Sequence, residues 1–179
     1  MKKFKNFAAL TALSMAFLLV FSLPALAQNP KLTDPEIASV AVTANQIDID
    51  YAAIAKEKSK NAEVLRFAET MTNDHKAIIA QAVELVTKLK VTPKDNAVSQ
   101  KLNADAALTK KALLKKSGKA FDKAYIDNEV AYHKAVIAAV TGLLIPESQN
   151  AELKALLQKV VPALNAHLAH AEMVQKDFK

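Results

Sequence analysis

The chain has 179 residues, no cysteine, two glycines (Gly118 and Gly142) and a formal net charge of +6. Average usage would supply roughly a dozen glycines, so glycine-dependent phosphate loops, dinucleotide folds and hairpin-rich β architectures are excluded. The missing thiols exclude disulfides, thiol catalysis, iron–sulfur clusters and cysteine-type zinc sites, which leaves an Ala-, Leu- and Lys-rich all-α chain.

The first segment reads as a sorting signal. Lys2, Lys3 and Lys5 precede an apolar run from Phe7 to Phe21, and Pro24-Ala25-Leu26-Ala27 closes it with an A-x-A cleavage pattern. A run of about 15 residues is short for a membrane span of about 20, and no Cys follows the motif to carry a lipid. The expected division is therefore a signal peptide over 1–27 and one domain over 28–179. Cleavage removes three lysines, so the net charge falls from +6 to +3 over 152 residues. Such a balance, spread over Lys/Glu alternations, describes a solubility surface and offers no nucleic-acid partner. No second stretch reads as a transmembrane helix in the mature chain, and no strand pattern reads as a barrel.

Thr33-Asp34-Pro35-Glu36 marks a helix start, with Asp34 as the expected cap. The first helix carries apolar residues at Ile37, Val40, Ala44, Ile47, Tyr51 and Ile54. Ser59 to Asn61 interrupts it and caps a second, whose seam runs Val64, Ala68, Met71, His75, Ile78, Ala82, Val86, Leu89 up to the break at Val91-Thr92-Pro93. Asp95 to Lys116 forms an amphipathic crossover stopped at Ser117-Gly118, with Gly118 the expected left-handed residue. The next seam is Ile126, Val130, His133, Ile137, Val140, Leu144, with a turn expected over Gly142 to Ser148. The last is Leu153, Leu157, Val160, Leu164, His167, Ala171, Val174, Phe178, in which Pro162 should bend the helix or cost it one backbone bond. Two short connections and one long helical crossover resemble a ferritin-like four-helix bundle. The breaks argue against one extended coiled coil.

Three of the four histidines, His75, His133 and His167, fall on the apolar seams of three separate helices. Asp48, Asp74, Asp122, Glu129 and Glu172 lie near these seams, and Glu129 shares a face with His133 four residues on. Inward His and carboxylates on separate helices are how bundles hold metals, and imidazole suits zinc, copper or iron. The candidate ligands are His75, His133, His167, Asp48, Glu129 and Asp122. Helical rise puts His75 and His133 at one level, and His167 with Asp48 about 8 Å along the axis from them. One staggered four-ligand site and two smaller polar clusters are both compatible with that spacing. So is a structural polar layer without metal, with Tyr125, Tyr132 and Asp122 as partners. His170 reads as structural or exposed.

Two activities are disfavoured. A di-iron centre of the ferroxidase type uses Glu-x-x-His twice, and here Thr72, Val130, Leu164 and His167 stand three before the histidines. Serines at helix ends, away from the His seams, do not support a Ser-His-Asp triad. The lysine pairs at 110–111 and 115–116 read as a solvated face near a helix C-terminus, or as a contact for an anionic surface of the envelope.

The segments Asp48-Ile-Asp-Tyr-Ala-Ala-Ile-Ala55, Val64-Leu-Arg-Phe-Ala68 and Met71-Thr-Asn-Asp-His75 resemble a bacterial family of exported proteins, domain of unknown function 4142. Phe121-Asp-Lys-Ala-Tyr125 with His133, and Val161-Pro-Ala-Leu-Asn-Ala-His167, extend the likeness over Asp34 to Phe178. The resemblance implies a ferritin-like bundle in the periplasm or associated with the outer membrane, of unknown activity. It carries Asp74, His75, Asp122, Tyr125, His133 and His167 onto matching positions. Asp48 stands where the family usually has Glu, one methylene longer, and Ala52 where it often has Gly. The family label "predicted outer membrane protein" cannot mean a barrel in a chain without strands. On this reading the protein is an envelope bundle binding a transition metal, or a structural or interaction module whose His layer fixes helix register.

Overall fold

The computed structural model describes residues 31–178. The expected signal peptide over 1–27 and its cleavage site lie outside the described residues. Among these, every regular element is helical: α1 (Asp34–Lys58), α2 (Ala62–Leu89), α3 (Ala97–Leu114), α4 (Gly118–Ala139), the single turn α5 (Ile145–Glu147) and α6 (Ala151–Gln175). A π-helical segment, Val140–Leu144, joins α4 to α5. The all-α bundle expected from the periodicities is what the chain forms. α1, α2, α6 and α4 enclose a common core, and α3 crosses from α2 to α4 along the outside of α1. α1 and α6 run one way, α2 and α4 the other.

The helix ends explain the topology. Thr33, not Asp34, is the first cap: its N–H and hydroxyl both donate to Glu36 Oε2, at 3.0 and 2.7 Å, the half of a capping box in which the N3 glutamate reaches back to the cap. Asp34 is freed to accept from the backbone of Gln149 and Asn150, each at 2.9 Å, which clips the start of α6 to the start of α1. Asn61, Asn96 and Asn150 cap α2, α3 and α6 through their side chains. Lys90 ends α2 in the left-handed region at φ 55°, and Gly118 takes φ +53° where α3 gives way to α4.

The turn expected over Gly142 to Ser148 is absent up to Glu147. The chain stays helical through Gly142 and Pro146 by widening one turn to the π pattern, with Ile145 N–H reaching Val140 O. A proline ring ordinarily clashes with the carbonyl four residues back, and here that carbonyl belongs to Gly142, inside the widened turn. Gly118–Glu147 thereby becomes long and apolar enough, by length and composition, to cross a membrane. In this structure it is a bundle helix packed on α6 and α1. Pro162 sits inside α6, which continues to Gln175.

The core has two chemically distinct halves. One is rich in aromatics, with Phe67, Met71, Phe121, Tyr125 and Ile126 fully buried. The other is aliphatic, built on Ile37, Val40, Val140, Leu144, Leu153, Leu157 and Leu164. Between the halves lies a buried polar layer to which each bundle helix contributes a residue: Asp48, His75, His133 and His167.

Candidate metal centre

Each imidazole in this layer is oriented by a bond from one ring nitrogen. Asn45 donates through Nδ2 to Ala41 O at 2.8 Å, which turns its Oδ1 toward His75 Nδ1 at 2.7 Å. His133 Nδ1 lies 3.0 Å from Glu129 O, and His167 Nε2 lies 2.9 Å from Asp74 Oδ2. An amide oxygen, a carbonyl and a carboxylate can only accept, so those three ring nitrogens donate. In a neutral ring the remaining nitrogens, His75 Nε2, His133 Nε2 and His167 Nδ1, are the lone-pair atoms. All three are buried without a hydrogen-bond partner, as are both oxygens of Asp48.

These atoms converge. One nitrogen from each of His75, His133 and His167 lies within 4.8 Å of the others, and the ring centroids are 5.1 to 5.8 Å apart. Asp48 Oδ2 stands 3.4 Å from His75 Nε2 and 3.5 Å from His133 Nε2. Those separations are long for hydrogen bonds. They equal the edge of a tetrahedron whose centre lies about 2.1 Å from each corner, the length of a metal–imidazole bond. Asp48, His75 and His133 are thus spaced as neighbouring ligands of one ion, and His167 stands in the same close group as the other two histidines. The expected axial stagger closes because side chains tilt toward the N-terminus of their own helix. Asp48 and His167 lean one way, His75 and His133 the other, and they meet between the two levels.

Burial sets the charge of the layer. It pushes the Asp48 carboxyl up to about 8. Burial and then Asp48 hold Glu129 well above the usual carboxylate range. Burial, followed by the neighbouring His167 and His133, brings His75 down to about 3. Burial also takes His133 down to about 4, against the bond to Glu129 O, which favours the charged ring. At neutral pH the Asp48 carboxyl keeps its proton and these two imidazoles carry no charge.

Two candidates stand differently from the four. Glu129 is buried beside the site, its Oε2 3.6 Å from His133 Nδ1. With Asp48 and His133 it forms a second close group. Asp122 is not in the layer: it accepts from Ser59 Oγ at 2.6 Å and ties the α1–α2 turn to the start of α4. Eleven residues of helix, roughly 16 Å, separate it from His133. His170 packs edge-on against Phe67, away from the cluster. Asn45 was missed in the sequence. Its signal was its place three residues before Asp48 on the same helical face.

Residues 22–174 match the profile of the family described as "Domain of unknown function (DUF4142)". The chain belongs to this family. No curated protein matches this DUF4142 chain. Among solved structures it resembles "CopM in the Cu(II)-bound form", with a TM-score of 0.62 and 15% identity, over 83% of this chain and 100% of that one. At that identity the likeness is one of fold. It places this DUF4142 protein in a helical architecture shared with CopM.

Proposed function

We propose that this DUF4142 protein binds one transition-metal ion through His75 Nε2, His133 Nε2, His167 Nδ1 and an oxygen of Asp48. The observation that carries the reading is the convergence of buried, unpartnered donor atoms whose opposite ring nitrogens are all engaged. Metal-bound histidines are held in this way, with the second nitrogen donating to a carboxylate, carbonyl or amide oxygen. Copper is the first choice. A nitrogen-rich set with one oxygen suits Cu(II), which binds tightest in the divalent series, and CopM, of the same fold, is recorded in a Cu(II)-bound form. Zinc and iron are the alternatives. The ion would be held as cargo or as a structural centre, with no reaction assigned.

The leader pattern makes export part of the proposal, toward the periplasm or the outer membrane, and N-terminal sequencing of periplasmic protein beginning at Gln28 supports it. Metal analysis of the purified protein beside a His75→Ala/His133→Ala variant tests the site. One equivalent in the wild type and little in the variant is expected. Equal, substoichiometric metal in both sinks the reading.

A second reading, a polar layer that fixes helix register, draws on the ring packing. His133 meets His167 edge-on at 5.5 Å and 90°, a favourable aromatic geometry without any ion. It predicts that copper leaves the melting temperature unchanged.

A further inference from the structure

The aliphatic half of the bundle is not filled. α1, α2, α3, α4 and α6 enclose a cavity of about 350 Å³, within the size range of small-molecule sites. Its walls include Ala41, Ile78, Leu102, Val136, Leu156 and Val160, one or more from each of these helices and all only half-buried. The exposed members of the lining, Asp105 on α3 and Ala131 and Ala135 on α4, put the mouth between those two helices.

Polar lining is confined to one end. Asn45 and Asp48 follow the aliphatic positions of α1, and Asp105 and Thr109 follow those of α3. His75 and Asn128 precede the aliphatic positions of the antiparallel α2 and α4. Asn128 lines this end and its Nδ2 is buried without an acceptor, so rotation of the amide toward the cavity would present an unused donor. From His75 to Val86 on α2, and from Leu153 to Leu164 on α6, the lining runs roughly 16 Å along the axis. The lining aromatics, Tyr51, His75, Tyr132 and His133, all stand at the polar end. A flexible chain fits such walls better than a flat ring, which would seek aromatic partners.

The geometry points to a binding site for a straight-chain aliphatic amphiphile of about twelve carbons, given roughly 1.3 Å of advance per carbon. Its chain lies between α2, α4 and α6, and a head-group oxygen, carboxyl or hydroxyl, accepts from Asn128 Nδ2. The inference goes beyond metal binding and does not depend on it, because walls and donor are present without an ion.

Calorimetric titration of the purified full chain in chelator, with dodecanoate and separately with dodecanol, tests it and separates the two head groups. Saturable one-to-one binding of either is expected. Affinity should rise about three- to fourfold per methylene from eight carbons upward and level off beyond about twelve to fourteen, where the roughly 16 Å of lining ends. Ala82→Phe, which fills the cavity, should weaken binding at least tenfold, and Val83→Phe, on an exposed residue outside the lining, should not. Asn128→Leu should weaken binding several-fold at unchanged helix content, and it decides the matter if Ala82→Phe fails to fold. Non-saturable uptake, a chain-length rise without a plateau, or an Ala82→Phe variant that folds and binds like wild type overturns the proposal. So does silence accompanied by dimerisation, which assigns the face to a second copy. Binding only after removal of residues 1–27 overturns it in favour of that segment as occupant.

Discussion

At the scale of single residues, the partners behind the histidines matter as much as the histidines. An imidazole offers an inward lone pair only while its other nitrogen donates elsewhere, and Asn45 Oδ1 is what fixes His75 in that state. Asn45→Leu removes the acceptor without shortening any ligand. Metal affinity is expected to fall about 10- to 100-fold, the usual effect of losing such a partner, and competition against a chromophoric chelator would show it. The charge state gives a second prediction. His75 and His133 are uncharged in the fold down to about 3 and about 4 respectively, so between pH 6.5 and those values the unfolded chain binds more protons, and their contribution is lost as pH falls. Asp48 has the opposite sign: its proton is kept up to about 8 against 3.8 for the free group, so its contribution is lost as pH rises. Above pH 6.5 only the carboxyl effect remains. Metal-free protein should therefore lose stability from pH 6.5 to 8, by up to about 1.4 kcal/mol per pH unit for each carboxyl that keeps its proton. Urea denaturation in chelator measures the slope, and Asp48→Asn should reduce it. A slope of opposite sign would mean that Asp48 is ionised in the fold.

At the scale of elements, the two glycines behave differently. Gly118 holds φ +53° with open space where a Cβ would point. Gly118→Ala should cost about 1 kcal/mol through the backbone alone. Gly142 also has open space around it, but in a helical segment with ordinary φ. Gly142→Ala should stabilise by about 0.5 to 1 kcal/mol, because alanine loses less freedom on folding. Chemical denaturation of the pair decides it: equal signs would refute the assignment of Gly118 as the only glycine required for its backbone. The clip at Asp34 is a comparable case. Asp34→Ala leaves the Gln149 and Asn150 N–H groups without their acceptor, at an expected cost of about 1 to 3 kcal/mol. The break points of the helices were legible because caps and turn formers act over three or four residues. The continuation through Gly142 and Pro146 was not, since a widened turn answers to packing of Val140 and Leu144 and leaves no local mark.

At the scale of the whole molecule, the polar layer lies across the middle of the bundle, where its cost must be met by something the four helices share. Taking several polar groups out of water without partners is unfavourable, and a bound ion satisfies all of them at once. Copper at 100 times its dissociation constant should stabilise the fold by about 2.7 kcal/mol. The melting temperature should then rise by several degrees in the wild type and stay put in the His75→Ala/His133→Ala variant. Calorimetric scans with and without copper make the comparison, and an unchanged wild-type midpoint favours the structural layer.

The sequence by itself determined the helices, their order and the seam on which each histidine sits, because a 3.6-residue period and a few caps are local properties. It also placed His75, His133 and His167 on the seams of three different helices, with Asp48 near the seam of a fourth. Only the tertiary structure decided that they meet, and that Asp122 does not join them. Meeting depends on the opposed lean of side chains on antiparallel helices and on which distant residue, Asn45 or Ser59, each polar group finds across the core. The cavity beside the layer has the same origin: it is space left between five helices, and no one of them encodes it.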